Sequence, residues 1–477
     1  MPEFIGRKRE LSKLKGLLAR QLPRLIILKG RRRIGKSRLL LEFGKIVGRV
    51  HVFTGLAPEE GITAQDQRYE FARQLDVEFG LKGLDCRDWG NLFWQLSQQT
   101  KSGRVLVVLD EISWMATGDA KFLPQLQVAW ESYFKQNTEI ILALCSSISM
   151  WIDENLLSST GFMGRQSLTM TLKELSLNEC LEFWHGFNAT ISAQEKLLTL
   201  SVTGGIPRYL EEINPKLSAE QNIKNMCFSA DGILFQEFNR IFSDLFNDKK
   251  SDYQAICESL ALGATDAQTL YKRTDMKGGG DDYKLLKNLT LSGFISKDYT
   301  WHINSGKLAK IASYRLSDNY CRFYLKYILP NQHKIEADDY TDIALTALPN
   351  WSSIMGLQVE NIVLNNRRLI KKALGLSQQE IICDNPFIQR ATQRKIGCQI
   401  DYLIQTRFNT IYVCEIKYSR DPIQKTVIDD VQRKIDALNI KRNFSVRPVL
   451  IHCHQVSETV VESQFFSHII NFLDYLT

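Results

Sequence analysis

The run Gly30-Arg31-Arg32-Arg33-Ile34-Gly35-Lys36-Ser37 constrains this chain more than any other stretch. Two glycines five positions apart, closed by Lys-Ser, follow the apolar run RLIILK and open an amphipathic stretch over 37–47. That strand–loop–helix context is what a phosphate-cradling loop requires. Glycines let the backbone N–H groups curl around anionic oxygens at a helix N-terminus. Gly30 to Arg38 are therefore expected to bind ATP, with Lys36 reaching the β- and γ-phosphates and the Ser37 hydroxyl ligating Mg²⁺. A second element agrees: VLVVLDE ends an apolar run with Asp110 and Glu111. Two carboxylates at the exposed end of a buried strand are costly unless a cation or water chain uses them. Asp110 suits the Mg²⁺ shell, and Glu111 suits polarisation of the attacking water.

The near-continuous apolar runs at 24–30, 104–110 and 139–147 read as parallel strands covered on both faces, in a wound α/β domain ending near residue 170. With 477 residues the chain needs further domains. Residues 171–245 read as mostly helical, and 246–330 as three short helices and a β-hairpin, the make-up of a winged helix. Residues 331–350 read as a polar linker or connecting helix, and 351–477 as a last domain. Its order reads helix, three strands (near 380–384, 398–405 and 411–417), helix (426–438), strand (447–452) and helix (457–475). The ten cysteines are scattered with no C-x-x-C pair, as free thiols of a reducing cytoplasm would be. No apolar h-region opens the chain and no run suits a membrane span, so a cytoplasmic protein without membrane contact is expected. The net charge of +7 permits nucleic acid without demanding it.

The last domain holds a second constellation. In IYVCEIKYS, Glu415 and Lys417 share one strand face, while Cys414 and Ile416 share the other. TRFNT (406–410) reads as a turn, so antiparallel pairing brings Asp401 of GCQIDYLIQ beside Glu415. Two such carboxylates suit a hard divalent cation, and Lys417 can orient a water at phosphorus. Glu360, on a helix, could complete the metal set of Glu360, Asp401 and Glu415, with Mn²⁺ an alternative to Mg²⁺. Gln432 and Lys434 of DVQRKID follow on a helix. The competing reading is an exposed i,i+2 ion pair on an edge strand. The domain is mildly basic, with 16 Lys and Arg against 12 Asp and Glu, and clusters at 366–373 and 390–395 could guide a nucleic-acid backbone. His452 and His454 lack a second ligand pair for zinc. In DDYKLLKNLTL, Lys284, Lys287 and Asn288 are expected on the outward face, and Leu285, Leu286 and Leu289 inward. Either DNA contact or a purely structural joint would fit that helix.

FIGRKRELSKL (4–14), the two phosphate-site elements, Ser146 after ILALC, Gly164-Arg165 and GGIPRYL (204–210) stand in the order seen in AAA+ ATPases, and resemble the branch near the origin-recognition and STAND ATPases. The resemblance implies that Gly6 and Arg7 lie along the adenine and that Ser146 senses the γ-phosphate. It makes Arg165 a candidate finger for a neighbouring subunit of a homo-oligomer, and Arg208 a candidate phosphate sensor. A surface salt bridge is the alternative for either arginine. Cys145 stands where that branch often has glycine. Glu360, Asp401 and Glu415-x-Lys417 resemble the PD-(D/E)xK nuclease superfamily. The full chain, including YRLSDNYCRFYLKYI and CEIKYS, resembles a prokaryotic archaeal-type ATPase family with a C-terminal domain of unknown function. The implied fold is α/β multidomain: a P-loop AAA+ parallel core, a helical lid, a winged helix and a PD-(D/E)xK (restriction-endonuclease-like) domain. The implied function is ATP-controlled, Mg²⁺-dependent DNA cleavage, the alternative being a STAND-like switch that binds DNA or a protein without cutting.

Overall fold

The computed structural model describes residues 3–159, 161–187, 190–246, 249–340, 343–393, 396–438 and 440–477. It divides into two compact units: residues 1–175 with 240–248 and 291–293, and residues 176–239, 249–290 and 294–477. Among the described residues no helix is long and apolar enough to cross a membrane. All ten cysteines are free.

In the first unit, five parallel strands form one sheet: β1 (Arg24–Lys29), β2 (Val50–Thr54), β3 (Val105–Asp110), β4 (Ile140–Ser146) and β5 (Leu168–Thr171). Their order is β2-β3-β4-β1-β5. The three long apolar runs form the inner strands β1, β3 and β4, where burial on both faces demands an apolar residue at nearly every position. β2 and β5 are short edges that their sequence does not announce. Helices Ala64–Phe79, Trp89–Gln99 and Phe122–Ser132 supply Phe71, Trp89, Phe93 and Phe122 to the core beside Leu25, Val107 and Leu142. β4 lies between β1 and β3, with Ser146 level with Lys29. The carboxyl ends of these three strands therefore open at one edge of the sheet.

In the second unit, the helix Lys250–Ala261 leads to β6 (Thr265–Asp266), and helices Ala267–Arg273 and Gly280–Leu291 follow. β7 (Ile295–His302) and β8 (Lys307–Leu316) form an antiparallel hairpin, with β6 on its outer side in the order β6-β8-β7. The stretch 331–350 contains a short helix, Gln332–Glu336, and buries Ile335, Tyr340, Leu345 and Leu348.

A second five-stranded sheet follows the helices Trp351–Asn365 and Arg367–Ala373. It comprises β9 (Ile381–Gln389), β10 (Cys398–Thr406), β11 (Thr410–Lys417), β12 (Ser445–His452) and β13 (His468–Asn471). The order is β13-β12-β11-β10-β9, with β9 to β11 antiparallel and β11 to β13 parallel. β11 is thus the central strand, contrary to the edge-strand alternative. The helix Thr426–Leu438 lays Val427, Val431 and Leu438 over Ile411, Val413 and Leu403. The single helix expected over 457–475 is replaced by a five-residue helix (Glu458–Glu462), strand β13 and a 3-10 turn (Phe472–Tyr475). The β-branched pair Ile469-Ile470 finds an open edge at Leu450 and Ile451 of β12, and ladder pairing overrides the local helical pattern.

Candidate functional site

The P-loop leaves β1 through Gly30 (φ 151°), turns at Arg33 (φ 70°), and enters the helix Lys36–Val47 from Gly35 (φ 88°). Gly30 has a second reason to be glycine: a Cβ there would stand 2.6 Å from the Leu172 carbonyl oxygen. Lys36 is 6% exposed, and its ammonium donates to the carbonyls of Gly30 (2.9 Å) and Arg31 (3.1 Å). The Ser37 hydroxyl donates to Asp110 Oδ2 at 2.5 Å, so hydroxyl and carboxylate already converge. Glu111 is held in a left-handed conformation (φ 49°), and its Oε2 accepts the N–H and hydroxyl of Ser147, both at 2.9 Å. Ser146 Oγ lies 2.8 Å from Ser113 Oγ and accepts the Ile148 N–H. Burial and the Asp110 carboxylate hold the Cys145 thiol well above its ordinary range, so it stays neutral beside this network. Sequence reasoning passed over Ser113 and Ser147. The repeated serine after ILALC is the only signal for Ser147, and nothing local marks Ser113.

Gly6 (φ 72°) and Arg7 (φ 57°) turn the N-terminal segment back, and the Arg7 guanidinium donates to the Ile34 carbonyl at 2.9 Å. That brings the segment against the phosphate loop. Arg165 precedes β5 on the side of β1 that begins at Leu25, the opposite strand end from the P-loop. Its Nε donates to Glu131 at 2.6 Å. Arg208 pairs with Glu212 at 2.5 Å and Glu211 at 3.6 Å on its own helical turn.

In the C-terminal sheet the register Tyr402↔Cys414 brings Asp401 level with Glu415, and Asp401 Oδ2 accepts the Ile416 N–H at 2.8 Å. Glu415 is 2% exposed. Its Oε1 meets the Lys417 ammonium at 3.0 Å and its Oε2 meets Lys434 at 2.5 Å. Lys434 also stands 3.9 Å from Asp401 Oδ1, so one ammonium spans both acids. Burial, then the charges of Glu415 and Glu360, push Asp401 up to about 8 against the pull of Lys434. Burial alone would lower Lys434, but Asp401 and Glu415 outweigh it and raise its pKa.

Glu360 is not drawn into this pair by any hydrogen bond or ion pair among the described residues. It lines a cavity with Arg315 and Arg322, and burial pushes its carboxyl up against their pull. Among the described residues no three His, Cys, Asp or Glu side chains converge as a ready-made metal set. Gln432 bonds Asp436 at 2.7 Å and is exposed. His452 Nδ1 meets the His454 carbonyl oxygen. Of the basic stretch 390–395, Arg394 and Lys395 lie outside the described residues, and Arg390 pairs with Asp266.

On the helix Gly280–Leu291, Leu285, Leu286 and Leu289 are buried, and Lys284 and Lys287 are exposed. Asn288 departs from the outward face: its amide donates to the Tyr253 hydroxyl at 2.6 Å, so it braces the helix against Lys250–Ala261. A feature the sequence did not suggest lies beside it. The Lys297 ammonium stands 5.2–5.8 Å from the ring centroids of Tyr283, Tyr299 and Tyr314.

Residues 4–213 match the family model described as an ATPase domain predominantly from Archaea. An uncharacterized protein of Methanocaldococcus jannaschii is 26% identical over 334 residues, 70% of each chain. A Walker-type ATPase of Pyrococcus abyssi superposes with TM-score 0.49 and 17% identity, covering 68% of this chain and 96% of that one. The ORC2 protein of Aeropyrum pernix, in ADPNP-ADP complexes, gives TM-score 0.41 and 15% identity over 72% and 98%. With the loop, the acid strand and the serine strand between them in place, residues 4–213 have the make-up of a P-loop ATPase domain and are similar over that stretch to the archaeal ATPase model.

Proposed function

We propose that this ATPase controls a metal-dependent phosphodiesterase site in residues 351–477, with DNA as its substrate. The observation that carries the proposal is Glu415. A carboxylate buried on a central strand, level with Asp401 and contacted by two ammonium groups, is not a solvated surface pair. The pair behaves as a cation site, since an ammonium already spans it, and its hard oxygen donors suit Mg²⁺ or Mn²⁺. Asp401 and Glu415 would hold the ion, which would supply Lewis-acid activation of a water or a phosphoryl oxygen. Lys417 sits at the solvent side of Glu415, where it can orient that water.

The element order of this region, helix, three antiparallel strands, helix and a parallel strand, supports a PD-(D/E)xK-like domain. The order helix, short strand, two helices and hairpin supports a winged helix over 246–330. Its exposed Lys284, Lys287, Tyr283 and Tyr299 are suited to phosphates and bases. At the ATPase, Ser37 and Asp110 would share Mg²⁺, Glu111 would polarise the water once released from Ser147, and Ser146 would report the γ-phosphate. Arg165 would complete a neighbour's site in a homo-oligomer. Ten free thiols suit a reducing cytoplasm.

Supercoiled plasmid incubated with the protein, ATP and Mg²⁺ or Mn²⁺ is expected to be nicked, and Glu415→Ala to lose at least about a hundredfold of that rate. Equal nicking by both proteins refutes the cleavage reading. One observation favours the alternative of a switch that binds without cutting. Lys434 holds the place between the two acids, and Glu360 joins them by no hydrogen bond or ion pair among the described residues. Under that reading ATP changes DNA or protein binding and no strand is cut.

A further inference from the structure

Apart from the acid pair, the second unit holds a cavity of about 340 Å³ lined by Leu262–Ala264, Arg273, Arg315, Arg322, Leu357, Glu360 and Gln399. Three arginines line it, from the helix Ala267–Arg273, from β8 and from the helix Asn319–Phe323. Arg322 is 1% exposed. Two of its nitrogens are spoken for: Nη1 donates to Gln358 Oε1 (2.7 Å) and the Leu357 carbonyl (3.4 Å), and Nη2 to the Leu316 carbonyl (2.6 Å). All three of those acceptors are neutral. Its Nε–H is buried with no hydrogen-bond partner among the described residues.

Arg315, 4% exposed, bonds Asp298 at 3.1 Å and the Asn361 amide oxygen. Arg273 is exposed and makes no hydrogen bond or ion pair among the described residues. Against these three cations stand two acids. Asp298 is already committed to Arg315, and Glu360 bonds to neither arginine. A buried guanidinium with an idle donor and no bonded carboxylate is a costly arrangement unless a ligand supplies the missing charge. The planar fork of arginine pairs bidentately with the oxygens of phosphate, and three arginines with one unbonded acid among them suit a multiply charged anion.

We propose that this cavity binds a phosphate group, with Arg322 and Arg315 as its floor and Arg273 as a movable arm over it. The phosphate comes either from a nucleic-acid backbone or from a small phosphorylated molecule. In the first case the inference deepens the cleavage reading and rests on it, since a strand gripped here would be held beside the helix that carries Glu360. In the second it stands alone, as a ligand site of its own.

The test uses the full chain carrying Lys36→Ala, so that the P-loop does not report phosphate. Calorimetric titration with inorganic phosphate is expected to show one site, weakened about tenfold or more by Arg273→Gln and lost in Arg322→Gln. Arg273 is exposed and makes no hydrogen bond or ion pair among the described residues, so its replacement leaves the fold intact even if Arg322→Gln does not fold. Displacement of phosphate by a short DNA duplex identifies the backbone as the source. Phosphate binding that the duplex leaves untouched identifies a small phosphorylated molecule. Phosphate affinity unchanged by Arg273→Gln, or no phosphate binding at all, overturns the proposal. The two readings fail separately. Phosphate binding without plasmid nicking removes cleavage alone, and nicking with phosphate binding indifferent to Arg273 removes the cavity alone.

Discussion

At Glu415 a single carboxylate faces two ammonium groups from opposite sides, one half out in solvent and one carried down by a helix. Lys417 is 36% exposed and Lys434 25%, against 3% for the Glu415 side chain. Removing the acid leaves the more deeply set ammonium with Asp401 alone, 3.9 Å away, whereas removing Lys417 only returns one carboxylate oxygen to water. Glu415→Gln is therefore expected to cost stability near the lower end of the roughly 3–5 kcal/mol seen when one side of a buried pair is deleted. Lys417→Met should cost about 0–1 kcal/mol. Urea unfolding at neutral pH separates them, and equal midpoints would refute the burial asymmetry.

Asp401 gives a pH signature of definite sign. Its pKa is raised from 3.8 to about 8, so across that window the folded state holds a proton that the unfolded chain has lost. Stability consequently falls as pH rises through the window, and the penalty is complete above about 8. Asp401→Asn removes the penalty: it should match the native protein near pH 4 and gain on it progressively toward pH 8.5. At the upper end Mn²⁺ should raise the melting temperature of the native protein and not of the variant. A gap that narrows with rising pH would contradict the assignment. The pairing of Asp401 with Glu415 was legible because a short turn and strand parity fix it locally. Glu360 was not, because the rotation of its helix depends on Arg315 and Arg322, which are 38 to 45 residues away in sequence.

Among elements, the plainest strands in the sequence are those covered on both faces. β1, β3 and β4 read as apolar runs because nearly every position is buried, while the edge strand β9 was read only over 380–384 of its nine residues. β2, β5 and β13 are sheet edges of four or five residues, and an edge needs no such run. What no pattern discloses is that the β7–β8 hairpin shares a core with the C-terminal sheet. Trp301 packs with Phe387, Ile400 and Leu403, and its indole N–H donates to Gln405 Oε1 at 2.6 Å. Gln405→Leu keeps the volume and strands that buried donor, at an expected cost of about 1–3 kcal/mol. Combining it with Trp301→Phe should cost less than the sum of the two single changes, a coupling that a double-mutant cycle reads directly. Strict additivity would mean that the hairpin and the sheet are energetically independent.

For the whole molecule the decisive quantity is the coupling between the nucleotide loop around Lys36 and the acid pair at Asp401 and Glu415. Both lie in one chain, yet separate chemistry in one chain does not by itself make control. Coupling is a free energy, and for binding it must be reciprocal: if ATP changes the affinity for DNA by some factor, DNA changes the affinity for ATP by the same factor. Typical couplings of 1–3 kcal/mol correspond to about 5–150-fold. ATP affinity measured with and without a saturating duplex is therefore expected to differ by at least about fivefold. DNA affinity measured with and without a non-hydrolysable ATP analogue should move by an equal ratio. Lys36→Ala should abolish the effect of nucleotide while leaving DNA binding without nucleotide unchanged, because Lys36 is buried in the P-loop and, among the described residues, bonds only carbonyls of that loop. A duplex that leaves ATP affinity untouched would make the ATPase and the acid pair two independent devices, whatever either does alone. Equal and non-zero shifts in both directions would make nucleotide the regulator, and cutting, if Glu415 supports it, the regulated act.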